Sequence, residues 1–429
     1  MKIHFKSLTG MADIMPEDQF FWKKIEEVVA SMANFYHFLK ITPPILEEEK
    51  LFIKGTGETT EVVEKQMYSF RTKGKERIVL RPEFTPAIVR VYLEKGMKNW
   101  TKPVRLWSLG PVFRYEKPQK GRHRQFHQFN FEILDSSSPA IDTLLIQLFL
   151  NIFKILGFKN PRLEINSIGC KECRSSYKIE LKNYYKKFLK EICSYCKRRF
   201  GANPLRLLDC KEEKCQGIKK SAPKIMNFLC ENCASHFKNL EDFLKEAEIT
   251  YYLNHHLVRG LDYYNRTVFE IFPDEKENQN ALVGGGRYDY LVEKLGGEPT
   301  PAIGGAAGIE RIIEEIKERE MRLPKDIKSF EEKPKVFLIQ LGISARKKIF
   351  TLIEEFKKNK IKISENVSRD SLKSQLKLAD KAKIKYSLIL GQKEAIEDTI
   401  IIRDMETGIQ KVIPFKNAIK EIKKRLKPN

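Results

Sequence analysis

No stretch of the chain is apolar for long enough to cross a bilayer, and the opening residues MKIHFKSLTGMAD lack the apolar core of a secretory signal. A helical membrane protein is therefore excluded, and the expected location is cytoplasmic with no membrane partner. Eight cysteines in 429 residues are too few for a disulfide scaffold. The phosphate-loop signatures GxGxxG and GxxxxGKS/T are missing, as are GxSxG and HExxH. Nothing calls for a Rossmann or P-loop nucleotide site or for a covalent enzyme intermediate. Acidic residues are short as well: 57 Asp and Glu face 79 Lys and Arg, a net charge of +22. That surplus suits a polyanionic partner such as nucleic acid, although a lysine-rich solvated surface has the same composition.

What is present organises into two or three domains, as the length requires. The segment PEDQFFWKKIEEVVASMANFYHF predicts a helix from Pro16, with proline and acids in its first turn. Residues 104–116 and 125–134 read as strands of a long antiparallel hairpin joined by the cationic loop KPQKGRHR, and a helical pattern returns over 139–157. Residues 161–250 hold all eight cysteines with little strand character and read as an inserted module. Strand signals resume in LVRGLDYYNRTVFEIF, and the glycine runs of ALVGGGRYDYLVEKL and AIGGAAGIERIIEEIKE read as turns leading into helices. The division is 1–160 with 251–325 as a split main domain, 161–250 as the insert, 326–333 as a linker, and 334–429 as a small α/β domain. That last domain has 23 Lys/Arg against 11 Asp/Glu, more than half of the net charge. The asymmetry favours nucleic-acid binding there.

Period-two alternation puts Val112, Arg114 and Glu116 on one face of the first hairpin strand and Gln128, Asn130 and Glu132 on one face of the second. Phe129, Phe131 and Ile133 face the other way. Such a polar face commonly meets solvent. It also offers a guanidinium fork for phosphate, an amide and a carboxylate for a polar ligand. The cysteines fall into four pairs, Cys170/Cys173, Cys193/Cys196, Cys210/Cys215 and Cys230/Cys233. Such spacing is that of structural zinc sites; the spacing leaves the pairing open, and a nested arrangement would put one ion on Cys193, Cys196, Cys210 and Cys215 and another on the outer pairs. Free buried cysteines are the alternative, and they leave the regular spacing unexplained.

GPVFRYEKPQKGRHRQFHQFNFEIL, PAIGGAAGIERI, LRPEFTPAIVR and above all LVRGLDYYNRTVFEI resemble the motifs of class II aminoacyl-tRNA synthetases, specifically the histidyl-tRNA synthetase family, over essentially the whole chain. The resemblance implies an α+β fold: an antiparallel sheet flanked by helices, the cysteine-rich insert, and a C-terminal anticodon-binding domain. It implies ATP-dependent activation of L-histidine to the adenylate, release of pyrophosphate, and transfer to the 3′-terminal ribose of histidine tRNA. ATP with Mg²⁺, one or two structural Zn²⁺ ions and a homodimer go with it. Residue by residue, Arg259 and Arg114 would hold the α-phosphate, Arg311 the γ-phosphate, and Glu116 the adenine end. Glu83, Thr85 and Gln128 would bind the α-amino group of histidine, Tyr264 and Glu132 would read its imidazole, and Tyr263 and Tyr288 would line the pocket. Lys117, Gln119 and Arg122 would meet the tRNA acceptor end. Phe84 and Pro86 stand where many relatives carry smaller residues, a departure that would narrow the histidine pocket or shift its loop.

Two other readings stand beside this one. A regulatory paralogue of ATP phosphoribosyltransferase shares the fold, but such chains lack the anticodon domain and erode the ATP-binding arginines that are kept here. A zinc-containing RNA-binding protein fits the basic tail and the cysteine pairs, but gives RGLDYY no purpose.

Overall fold

Ile25, Val28, Val29 and Ala33 repeat at helical spacing, and Gln19–Phe35 is a helix that buries this face. It starts three residues after the expected Pro16 because Met15 O and Pro16 O accept from the Asp18 and Gln19 amides in a preceding turn. The computed structural model describes residues 5–58, 60–119, 121–274, 280–319, 334–366 and 371–426. The chain divides into two units after Pro324, and the expected linker at 326–333 lies outside the described residues.

The first unit is built on an eight-stranded sheet in the spatial order Leu39–Lys40, Val104–Phe113, Gln125–Leu134, Ala302–Gly308, Val283–Arg287, Asn265–Phe272, Arg162–Ser167, Tyr252–Leu253. Among the described residues its interior pairs are antiparallel, and the two short edge strands pair in parallel. The hairpin runs in register from Val104 opposite Leu134 to Phe113 opposite Gln125. Phe129, Phe131 and Ile133 enter the apolar core with Phe149 and Phe153 of the helix Pro139–Ile155. The Phe131 and Phe149 rings meet edge-on at 5.6 Å. Ser138 caps that helix, its hydroxyl accepting from the Ala140 amide. Alternation then leaves Gln128, Asn130 and Glu132 on the opposite face of the sheet.

Two expectations need correction. The stretch 161–250 opens with a strand of the main sheet, Arg162–Ser167, antiparallel to Asn265–Phe272. Leu163 and Ile165 alternate into the core, a pattern too short to stand out in the sequence. The glycine runs are not turns either: Val283–Arg287 and Ala302–Gly308 are central strands. Glycine inside a strand often marks a place where something else must come close, and here the side chains of Arg259 and Glu132 lie against Gly284 and Gly304.

Arg287 is fully buried at the end of one of these strands, 2.8 Å from Asp142 and 3.0 Å from Asp289, and donates to the carbonyls of Ser136 and Ser138. Removing Asp142 leaves the buried guanidinium with one carboxylate, Asp289, where it had two. Asp142→Ala is expected to cost about 3–5 kcal/mol, whereas the double change D142A/R287M recovers most of it. Denaturant unfolding of the three proteins checks this, and equal losses in the single and double variants would refute it.

The second unit is a five-stranded sheet in the order Ile363–Glu365, Val336–Gln340, Tyr386–Leu390, Thr399–Asp404, Gln410–Pro414. Its first three strands are parallel and its last two antiparallel. Leu338, Phe356, Leu388 and Ile422 close its core.

Candidate active site

The polar face of the hairpin contributes Gln128 and Asn130 to a cavity of about 330 Å³. Glu83, Thr85, Tyr263 and Tyr264 line it, and so do Arg114, Glu116, Arg122, Arg259 and Arg311. Residues up to 228 positions apart in sequence thus share one space. Tyr288 and Glu132 are buried outside the lining. Lys117 and Gln119 are exposed and do not line it, although paired backbone hydrogen bonds between Gln119 and Arg122 tie that loop to the rim.

The acidic part of the site is held by hydroxyls. Glu83 accepts from Thr56 Oγ1 at 2.8 Å and from the Tyr263 hydroxyl at 2.6 Å. Burial raises its carboxyl above the usual range, opposed by Tyr263, Arg114, Thr56 and Arg259. Glu132 accepts from Thr85 Oγ1 at 2.6 Å and Asn130 Nδ2 at 3.0 Å on one oxygen, and from the Tyr288 hydroxyl at 2.6 Å on the other. Burial pushes it up to about 7, tempered by those three donors. A side chain on Gly304 would collide with the Glu132 carboxylate, so the glycine in this central strand is what admits the acid.

The cationic part is arranged for an anion. Arg114 Nε donates to Pro82 O at 2.9 Å, and Arg311 donates to Gly121 O at 2.9 Å and Ala281 O at 3.1 Å, and other nitrogens of both guanidinium groups have no hydrogen-bond partner among the described residues. Burial lowers the Arg311 pKa, and Arg122 and Arg114 lower it further. Cations that repel one another in a cleft make it a candidate site for an anion. Arg259 pairs with Glu270, and a side chain on Gly284 would overlap its guanidinium. Gln128 Oε1 and Arg259 Nε are buried without a hydrogen-bond partner among the described residues.

Phe84 lines the cavity with its ring 4.2 Å from the Arg81 guanidinium, whereas Pro86 sits at the start of the helix Thr85–Glu94, a position proline suits. Thr56, Glu270 and Arg206 also belong to the site and were not singled out from sequence. Glu270 lies on a strand whose alternation could have flagged it; Thr56 and Arg206 carry no local signal.

The cysteines gather into two groups, Cys170, Cys173, Cys230, Cys233 and Cys193, Cys196, Cys210, Cys215, with the thiols of each within 4.8 Å of one another. Sulfur separations of 3.5 Å for Cys170/Cys173, 3.9 Å for Cys170/Cys230 and 3.8 Å for Cys193/Cys210 match the roughly 3.8 Å edge of a tetrahedron with ~2.3 Å zinc–sulfur bonds. Backbone amides of Cys196 and Cys230 donate to Cys193 and Cys173 sulfurs, contacts that favour the thiolate form. The donor sets fit a metal ion.

Comparison with known proteins agrees with the geometry. The histidyl-tRNA synthetase family model matches residues 10–173 and 206–312, and an anticodon binding domain model matches 335–425. The histidine–tRNA ligase of Natranaerobius thermophilus is 40% identical over 419 residues, covering 97% of this chain and 98% of that one. That of Dehalococcoides mccartyi is 42% identical over 422 residues, covering 98% and 100%. The crystal structure of apo S. aureus histidyl-tRNA synthetase superposes with a TM-score of 0.77 at 31% identity, covering 98% of this chain and 100% of that one. The chain belongs to the histidyl-tRNA synthetase family.

Proposed function

We propose that the protein is a histidine–tRNA ligase whose two half-reactions use this cavity. The observation that carries the reading is the meeting, in one space, of the Glu83–Tyr263–Thr56 cluster with Arg114, Arg259 and Arg311. Glu83, Thr85 and Gln128 take the α-ammonium of histidine, and the unpartnered Gln128 Oε1 has a lone pair to give it. Tyr264 and Glu132 read the imidazole, with Tyr263 and Tyr288 as the walls. A carboxylate oxygen of histidine attacks the α-phosphorus of ATP, the bond from that phosphorus to the bridging oxygen breaks, and pyrophosphate leaves. Arg259 and Arg114 stabilise charge on the α-phosphate, Arg311 holds the γ-phosphate, and Glu116 meets the adenine end. Mg²⁺ enters as part of the MgATP substrate. The terminal ribose hydroxyl of histidine tRNA then attacks the acyl carbon and AMP leaves, with Lys117, Gln119 and Arg122 at the acceptor end.

Zn²⁺ in each cysteine cluster supplies rigidity rather than chemistry, the protein works as a cytoplasmic homodimer, and the C-terminal unit binds the anticodon. The match of residues 335–425 to an anticodon-binding model and the retained arginines favour this over a regulatory paralogue.

The test is ATP–pyrophosphate exchange without tRNA, run with each standard amino acid. Exchange with histidine alone is expected. No exchange from folded, metal-replete protein, or exchange with several amino acids, would overturn the assignment.

A further inference from the structure

The cysteine-rich insert is more than a remote appendage. Between the ligand candidates Cys196 and Cys210 the chain makes the end of the helix Ser194–Ala202 and the 3₁₀ turn Pro204–Asp209. Leu205, Leu207 and Leu208 of that turn are buried in the same apolar cluster as Tyr263, Tyr264 and all four cysteines of this group. Arg206, itself buried, leaves the turn in the direction of the active site: it lines the cavity, and its Nη1 donates to the backbone carbonyl of Arg259 at 2.9 Å. Asp209 lies 3.6 Å from its guanidinium, and Arg199 Nη1 donates to the Arg206 carbonyl at 3.1 Å. Three residues away, Asn203 Nδ2 donates to the Asp262 carboxylate at 3.0 Å.

These contacts fall on a segment that needs them. Residues 259–264 belong to no helix or strand, so their backbone is held by separate contacts: the Asp262 amide donates to Thr56 O at 3.0 Å and Arg174 Nη1 to Tyr264 O at 2.9 Å, beside the bond from Arg206 to the Arg259 carbonyl. The family model leaves residues 174–205 unmatched, and Arg206 opens its second matched segment.

We propose that Arg206 is a positioning residue for histidine activation. The loop closed by Cys193, Cys196, Cys210 and Cys215 holds the Arg259 carbonyl through Arg206, and so aims the Arg259 guanidinium at the α-phosphate. This rests on the reading of Arg259 given above. Misplacing a reacting group by about 1 Å can lower a rate about 10²-fold, which sets the scale. One consequence is that the two cysteine clusters hold different points of this segment: Arg174, beside Cys173, donates to Tyr264 O at 2.9 Å, whereas only the loop of the other cluster reaches the carbonyl of Arg259 among the described residues.

Arg206→Ala in the full-length, metal-replete protein tests this, with exchange kinetics, metal content, melting temperature and hydrogen exchange of the 257–264 peptide measured together. The expected result is a fall in kcat for exchange of about 10–10²-fold, with the KM for histidine, metal content and melting temperature close to those of the parent. Faster hydrogen exchange in 257–264 and partial recovery of kcat by added guanidinium ion accompany it. Unchanged kcat would overturn the proposal, as would a loss that follows metal loss or a lowered melting point and that guanidinium does not relieve. If the alanine variant does not fold, hydrogen exchange of the parent decides: chelation of the metal should loosen 257–264, and unchanged protection there refutes the coupling. Arg259→Ala run alongside separates the two readings. Its full activity would remove the role of Arg259 itself, whereas its inactivity beside an active Arg206→Ala would remove only the role of Arg206.

Discussion

Replacing Arg259 with alanine is expected to lower kcat for histidine-dependent exchange by about 10²–10³-fold, the loss seen when one preorganised donor to a developing charge is taken away. The guanidinium is enclosed: it lines the cavity, pairs with Glu270, and lies over Gly284, where any side chain would displace it. Such enclosure means that little reorganisation is needed when charge builds on the α-phosphate, so the loss belongs mainly to kcat and less to the KM for ATP. Lysine is a poor substitute, since a point charge cannot reproduce a planar fork held between Glu270 and a phosphate. Gly284→Ala is expected to imitate the arginine deletion without touching any charge. Because Arg259→Ala leaves the half-buried Glu270 without its cation, the variant R259A/E270Q serves as the control for stability. A kcat within about threefold of the parent in that folded double variant would place the electrophilic role on other residues, a threefold change being only about 0.65 kcal/mol of barrier.

The parts of the site that were legible in the sequence are those written in local periodicity. Gln128 and Asn130 alternate with Phe129 and Phe131, and the fold turns the first pair to the cavity and the second to the core. Cysteine spacing likewise carries its own geometry, because two thiolates a turn apart reach one point. What stayed hidden depends on approach from elsewhere in the chain. Nothing near Gly284 or Gly304 announces that Arg259 or Glu132 will lie against it, so glycine runs in two central strands read as turns. Thr56 is 27 residues from the carboxylate it serves, and Arg206 is 53 residues from the carbonyl it holds. The strand Arg162–Ser167 was lost for the opposite reason: its signal is local but only six residues long, and it borders a segment of a different character.

The second large effect concerns Glu132 and depends on pH. Its first oxygen is saturated by Thr85 and Asn130, while its second accepts only from Tyr288 among the described residues. A carboxylate oxygen has two acceptor sites, so one remains for an imidazole N–H. Glu132→Gln is expected to lower kcat/KM for histidine by about 10²-fold, the scale of a lost hydrogen bond to a buried charged group. The pH dependence has a definite sign. Burial holds the folded-state carboxyl up at about 7, with Thr85, Tyr288 and Asn130 opposing it, whereas an unfolded glutamate titrates near 4.3. The folded chain therefore keeps the proton between those values; the stability this group contributes is complete below about 4.3 and is lost as pH rises through about 7. Histidine binding runs the other way, since an imidazole donor favours the ionised acid. Affinity should rise between about pH 6 and 8 with release of a proton from the protein, over and above the titration of free histidine near 6.5. Calorimetry of histidine binding in buffers of different ionisation enthalpy counts that proton directly. Glu132→Gln should abolish the protein's share and leave the ligand's, and an unchanged proton count in the variant would take Glu132 out of imidazole recognition.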